Sequence, residues 1–293
     1  MLIQEQLKQQ TGFSDVERSI ADFILAQGAG LKQLSARQIA AEAYVSPASV
    51  VRLCQKLGYD GYNAFRDAWL AEQEYLSSRF QDLDANHPFT PGDPITVIAR
   101  KLGALYQETI DDTLALLDGD ALVKAVNYCR RARNIYVCAG GAQISLADSF
   151  AEKMAKIGKP VVLSPRSDLM YFHACNCELK DCFIVLSYSG ETPQTLRVAR
   201  KLKQRRVNTI AVTSYGSNTL ASLFDCVLCV STRERLVNNM GTFSAHLTAL
   251  FVLDVLYAGV LSQNYDAVAA DRVHNVREFE VYRHSDNPLL RED

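Results

Sequence analysis

Between residues 134 and 230 short β-rich runs alternate with helical stretches, and this alternation limits the fold more than any other feature of the chain. The runs are NIYVCA (134–139), KPVVLS (159–164), CFIVLSY (182–188), NTIAVTS (208–214) and DCVLCV (225–230). Amphipathic stretches separate them, notably Leu146–Ile157 and Thr192–Gln204. Short apolar runs of this kind are strands covered on both faces, and strands alternating with helices build a mostly parallel sheet flanked by helices. A long helix from Ile95 to about Leu117 and another over Asp120–Arg131 lead in, and Leu236–Leu261 closes the unit as helix. The predicted α/β domain spans 95–263, with a charged, weakly patterned tail over 264–293.

The amino-terminal part has a different grammar. Residues 14 to 75 read as almost wholly helical, which makes 1–77 an all-α bundle. Ser14 and Glu17 stand at capping-box spacing, followed by Val16, Ile20, Phe23 and Ile24 at helical intervals. The GAG at 28–30 ends that helix. Ser35 caps a short helix, ARQIAAEA, and after Tyr44-Val45-Ser46-Pro47 a second helix, ASVVRLCQKLG, closes at Gly58. A further helix from about Tyr62 carries Phe65 and Trp69. The run SSRFQDLDANHPFTPGDP then holds three prolines and no sustained period, so 78–94 is a linker by composition.

Bulk properties narrow the function classes. No stretch reaches the roughly 18 uncharged apolar residues of a membrane span, and Asp254 interrupts the longest apolar run, Leu247–Leu261. The start, MLIQEQLKQQ, lacks an apolar signal core, so a cytoplasmic, membrane-free protein is expected. The eight cysteines lie mostly in apolar runs and read as buried reduced thiols. Cys226 and Cys229 are three apart in a strand and face opposite sides, and no His spacing joins Cys175 and Cys177 into a zinc site. Neither a metal nor another cofactor is therefore expected. A net charge of −2 gives no global nucleic-acid signature, so any such contact must be local.

Two local sites stand out. Ser35 to Leu57 has helix-turn-helix spacing, with Ser46 and Ser49 at the start of the second helix and Arg52 and Lys56 on successive turns after Ser49. Small hydroxyls at a helix start suit phosphates and base edges; Arg can read guanine, while Lys more often meets phosphate. Val45, Val50, Leu53 and Leu57 take the opposite side. The other site is Ser187-Tyr188-Ser189-Gly190-Glu191-Thr192, a strand end that runs into a helix at Pro193. Hydroxyls, a glycine turn and free N–H groups make an anion seat there, at the carboxyl edge of a parallel sheet. No Walker lysine accompanies it, which argues against a nucleoside triphosphate.

The run VSPASVVRLCQKLGYDGYNAFRDA resembles the RpiR-type helix-turn-helix from Val45 to Arg66, and LSARQIAAEA upstream fits as well. SYSGET resembles the phosphate loop of sugar isomerase (SIS) domains, and AVTSYGSNTLASLFDCVLCV their next strand and helix. The resemblance implies a sequence-specific transcriptional regulator of sugar catabolism genes, with double-stranded operator DNA and a phosphosugar effector as partners. It carries over Ser46, Ser49 and Arg52 as recognition positions, with Lys56 on phosphate, and Ser187, Ser189, Gly190 and Thr192 around the sugar phosphate. The first SIS loop is usually Gly-x-Gly-x-Ser; here it is Ala139-Gly140-Gly141-Ala142-Gln143. Gly141, Gln143 and the nearby Ser145 are the ligand candidates in that loop. The resemblance also implies a homodimer or homotetramer, for which Ile95–Leu117 and Leu236–Leu261 are the candidate surfaces.

A phosphosugar isomerase with an accessory helical domain is the competing expectation. It needs a general base, usually Glu, with a His assisting ring opening. Glu191, Glu234 and His246 are the candidates, but each also has a structural reading, as a helix-dipole, turn or helix-face residue. A binding module joined to a DNA reader needs no such base, so no catalytic residue is expected.

Overall fold

The computed structural model describes residues 3–79, 83–263 and 265–279, together with Asn287 and Leu289. The chain forms two compact units, one built on residues 3–108 and the other on residues 109–214 and 219–279.

The first unit is all helical, with α1 (Ile3–Gln9), α2 (Asp15–Gln27), a 3-10 turn (Gly28–Gln33), α3 (Ala36–Glu42), α4 (Pro47–Lys56) and α5 (Tyr62–Arg79). Ser14 and Glu17 form the expected capping box on α2, and Ser35 and Gln38 form another on α3. Gly58 follows α4 at φ +92°, a left-handed conformation that glycine adopts without strain. Ile20, Ile24, Leu31, Ile39, Val50, Leu53, Phe65 and Trp69 make one core. Its polar edges are satisfied: the Trp69 indole donates to Gly28 O at 2.8 Å and the Tyr62 hydroxyl to Leu34 O at 2.6 Å.

The sequence reading did not include α1. It is held from a distance: the buried Glu72 carboxylate accepts the N–H groups of Ile3 at 2.6 Å and Gln4 at 2.7 Å. A cap supplied 69 residues away leaves no local sequence signal. Of the expected linker over 78–94, residues 78–79 continue α5 and residues 83–94 form turns, with Asp84 accepting from Asn86; residues 80–82 lie outside the described residues.

α6 (Ile95–Leu116) begins in the first unit and its part from Thr109 onward belongs to the second, where α7 (Gly119–Arg131) follows, capped by Asp118. Then come β1 (Ile135–Cys138), α8 (Gln143–Ala155), β2 (Val161–Leu163), α9 (Ser167–Asn176), β3 (Cys182–Leu186), α10 (Pro193–Arg205), β4 (Asn208–Ser214), α11 (Thr219–Leu223), β5 (Val227–Val230), α12 (Phe243–Ser262) and α13 (Tyr265–Phe279). All pairings are parallel, in the order β2-β1-β3-β4-β5. α7, α8 and α12 pack on one face through Cys129, Phe150, Met154, Val252 and Leu256. α9, α10 and α11 cover the other through Met170, Leu196, Leu202 and Leu220.

Three segments differ from the sequence reading. The closing helix begins at Phe243 rather than Leu236, because its first N–H groups are capped by a residue that must stand outside it, as described below. The short α9 was not expected, since its apolar residues show no single face: Met170 and Ala174 are buried while Leu169 and Phe172 are exposed. Residues 265–279 of the expected tail form α13, whose inward residues, Val268, Ala269, Arg272 and Val276, are only partly buried and include a charge, so they make a weak apolar stripe. The rest of that tail, apart from Asn287 and Leu289, lies outside the described residues. α12 has the length and composition of a membrane-crossing helix, yet it is a core helix here, with Val252, Leu253, Leu256 and Val260 buried in the unit.

Gly259 is where α12 meets α7. A methyl group there would come within 2.5 Å of Val126 Cγ2. Gly259→Ala should therefore cost about 1–3 kcal/mol by overpacking, read as a lower urea midpoint with an unchanged slope.

Candidate functional sites

In the first unit, α3 and α4 are joined by a tight turn in which Val45 N–H donates to Ala40 O at 2.8 Å. Ser46 caps α4: its hydroxyl accepts the Ser49 N–H at 3.2 Å and lies 2.9 Å from the Ser49 hydroxyl. Arg52 Nη2 donates to Ser49 Oγ at 3.2 Å. Ser46, Ser49 and Arg52 thus form one connected polar row along the outer face of α4, while Val50, Leu53 and Cys54 are buried beneath. The row tethers the guanidinium only through a neutral hydroxyl, so the ion can exchange that contact for a base or a phosphate.

Lys56 does not join the row. Its ammonium donates to Gly12 O at 2.6 Å and to Glu17 Oε2 at 2.8 Å, and it sits 5.3 Å from the centre of the Phe13 ring. It fastens α4 to the start of α2. The turn contributes a residue that the sequence reading did not single out: Tyr44 has φ +55° and is 96% exposed. An aromatic residue in a left-handed turn position is locally unfavourable, and since that dihedral is visible only in the fold, no local signal of it stands in the sequence.

In the second unit a crevice of about 570 Å³ opens at the carboxyl ends of β1 and β3, the point where the strand order reverses. Gly141, Gln143, Ser187, Ser189 and Thr192 line it; Gly190 and Ser145 do not. Gly190, at φ +67°, makes the turn, its N–H donating to Ser187 O at 3.0 Å, whereas Ser145 is exposed on α8. The Ser187 and Thr192 hydroxyls lie 3.1 Å apart, and Ser189 Oγ accepts the Glu191 N–H at 3.1 Å. α8 and α10 both begin at this crevice, and neither Ala142 nor Thr192 supplies a side-chain cap. Two uncapped helix starts beside three hydroxyls favour an anion.

The far wall is the segment between β5 and α12, which brings Glu234, Arg235, Leu236, Asn239 and Thr242 to the crevice. Sequence reasoning missed all but Glu234 of these. Their position after the last parallel strand, hence at its carboxyl edge, was the available signal. Glu234 is buried, and its two carboxylate oxygens accept the N–H groups of Ser244 at 2.8 Å and Ala245 at 3.0 Å, capping α12. Glu191 faces elsewhere: Oε1 accepts the Thr219 N–H at 2.6 Å. His246 lines the crevice with its ring within 3.2 Å of the Thr242 hydroxyl. Burial pushes the Cys138 thiol up to about 12, so the one cysteine lining this crevice is protonated and inert at neutral pH. Among the described residues no group of His, Cys, Asp or Glu side chains is arranged to hold a metal ion.

Comparison with known proteins follows this division. The family described as helix-turn-helix domain, rpiR family, matches residues 1–75, and the SIS domain family matches residues 129–259. The chain thus carries an rpiR-family helix-turn-helix domain followed by a SIS domain, the arrangement of RpiR-type regulators. Similar proteins include the HTH-type transcriptional regulator YbbH of Bacillus subtilis, 27% identical over 85% of this chain and 87% of that one. An HTH-type transcriptional regulator of Haemophilus influenzae is 28% identical over 87% of each chain. Among solved structures, Vibrio vulnificus NanR complexed with ManNAc-6P has a TM-score of 0.62 at 23% identity, covering 96% of this chain and 99% of that one. The sugar isomerase domain of an RpiR transcription factor from Sphaerobacter thermophilus has a TM-score of 0.54 at 18% identity, covering 61% and 98%. At these identities the solved structures establish the shared fold: the RpiR-type chain has a helical reader followed by a SIS-type parallel sheet.

The Lys56–Glu17 link makes a pH-dependent contribution to this regulator. Lys56, foremost, and the Ser14 N–H hold the Glu17 carboxyl below its ordinary 4.5. A carboxyl lowered by folding stabilises above its ordinary value, and that gain is lost as pH falls through the lowered one. Lys56→Met should cost about 1 kcal/mol at neutral pH, and its deficit against wild type should vanish in acid. Urea midpoints measured from pH 7 to pH 3 test this.

Proposed function

We propose that α4 reads double-stranded operator DNA through Ser46, Ser49 and Arg52, and that the crevice of the second unit holds a phosphorylated sugar whose binding changes operator affinity. The arrangement around Ser187, Ser189 and Thr192, with two uncapped helix starts, carries the ligand half of this reading. The phosphate sits against these hydroxyls and the Gly190 turn, while Gly141 and Gln143 meet the sugar. NanR, similar in fold, is known as a complex with ManNAc-6P, which supports a phosphosugar as the ligand class. On the DNA side Tyr44 adds a phosphate contact beside Ser46, whereas Lys56 would have to release Glu17 to do so.

The site binds its ligand and does no chemistry on it. An isomerase base must reach the sugar carbons with a free carboxylate, and both Glu234 oxygens are engaged in capping α12. Relatives named as transcriptional regulators support the same conclusion. The regulator acts as at least a dimer, since helix-turn-helix proteins read paired half-sites about one helical turn apart. Leu114 of α6, 53% exposed, and the half-buried Leu247, Leu250 and Val255 of α12 offer apolar surface for that association.

The direct test is a thermal-shift screen against phosphorylated sugars and their unphosphorylated forms. A true effector at a hundredfold excess over its Kd stabilises by about 2.7 kcal/mol, and only the phosphorylated form should act. Ser189→Ala should weaken that shift without altering DNA binding. Arg52→Ala should lose about 1–3 kcal/mol of operator discrimination and leave the thermal shift intact. A phosphosugar that stabilises Ser189→Ala as fully as wild type would move the ligand site elsewhere.

A further inference from the structure

The two walls of the crevice are joined by one side chain. Tyr188 lies between the loop serines 187 and 189, and its hydroxyl donates to Glu234 O at 3.1 Å while accepting the Glu234 N–H at 3.1 Å. A phenol that both donates to and accepts from one residue's backbone fixes that residue in position and orientation. The Tyr188 backbone is fixed in turn: its carbonyl accepts from Ser214 N–H at 3.0 Å and from the Thr213 hydroxyl at 3.4 Å. Glu234 passes the constraint on through its carboxylate, which holds the N–H groups of Ser244 and Ala245. The chain of contacts ends on α6: Thr109 Oγ1 donates to Ser244 Oγ at 3.1 Å, and both residues are fully buried. α6 is the helix through which the chain enters this unit.

We propose that Tyr188 and Glu234 are positioning residues of a relay that couples occupancy of the hydroxyl loop to the start of α12 and, through Ser244 and Thr109, to α6. The proposal rests on the reading of the crevice as the effector site. An anion drawn onto Ser187 and Ser189 moves or stiffens the segment that carries Tyr188. The tyrosine cannot shift without pulling on Glu234, and the capped helix start follows. Coupling of this kind is a difference in free energy between two arrangements of a packed element. Glu234 lines the crevice, and its carboxylate holds the start of a helix.

Hydrogen exchange on the full-length protein tests the relay, with inorganic phosphate and ManNAc-6P as probes. In the absence of any probe, Tyr188→Phe keeps the ring and removes both hydrogen bonds, so the Ser244 and Ala245 amides should exchange at least about tenfold faster. Unchanged exchange there overturns the relay. With probe present, wild type should gain protection over 187–192 and also at 244–245 and 109–113. Tyr188→Phe should gain little at the last two. If neither probe protects 187–192 in wild type, the effector-site reading fails and the relay with it. If 187–192 is protected in wild type and 244–245 responds equally in both proteins, the relay alone is overturned. Ser244→Ala removes the last link without touching the crevice. It should bind the probe with wild-type affinity yet show a reduced effector-induced change in operator affinity, and a full change would also overturn the relay.

Discussion

The second unit depends on the reversal of strand order between β1 and β3. The chain winds from β1 to β2 in one direction, then crosses back and continues through β3, β4 and β5 in the other. Right-handed crossovers oblige the helices of the two halves to lie on opposite faces. α8 follows β1 on one face and α10 follows β3 on the other, as their separate cores show. Two helix starts therefore point into one gap, which no strand can fill. The loops that enter α8 and α10 carry glycines at positive φ, Gly141 and Gly190, so backbone approaches the gap closely. An anion seat at this place follows from topology, and the side chains of SYSGET refine it.

How much of this was legible in the sequence varied with the range of the interaction. Local grammar was readable: the caps at Ser14, Ser35 and Ser46 and the apolar runs of the five strands all reside within a few residues. Features held from a distance were not. α1 depends on Glu72, and the start of α12 depends on Glu234, ten residues before Ser244. A hydrophobic stripe cannot show where a remote carboxylate will end or begin a helix. The same limit affected the sites. Ser187, Ser189 and Thr192 were visible as a motif, but the wall bearing Arg235 and Asn239 emerged only when β5 was placed beside β4.

Glu234 and Lys56 show how a residue of the right type at a plausible place can be committed to structure. Each looked available for chemistry or contact when read along the chain. In the fold the Glu234 carboxylate meets two backbone donors and the Lys56 ammonium meets a carbonyl and a carboxylate. A buried carboxylate that accepts two N–H groups has a strong reason to stay in place. Withdrawing it to act as a base would leave the start of α12 uncapped, and buried unpaired N–H groups cost about 1–3 kcal/mol each. The same commitment that disfavours catalysis makes Glu234 an efficient mechanical link.

The polar row of α4, proposed above to face DNA, is economical in charge. Between Ser46 and Arg66 the cations are Arg52, Lys56 and Arg66, and Lys56 is tied to Glu17 while Arg66 lies 3.0 Å from Asp67. Arg52 is the cation of this stretch held only by a hydroxyl. On the proposed reading, a recognition helix that offers one such cation gains little from counterion release, so its own share of non-specific affinity is small and discrimination rests on base contacts and on pairing of copies. Weak intrinsic affinity suits a regulated protein. An effector that changes the placement of two readers by a small free energy then decides whether the operator is held, because no large non-specific term remains to mask the difference.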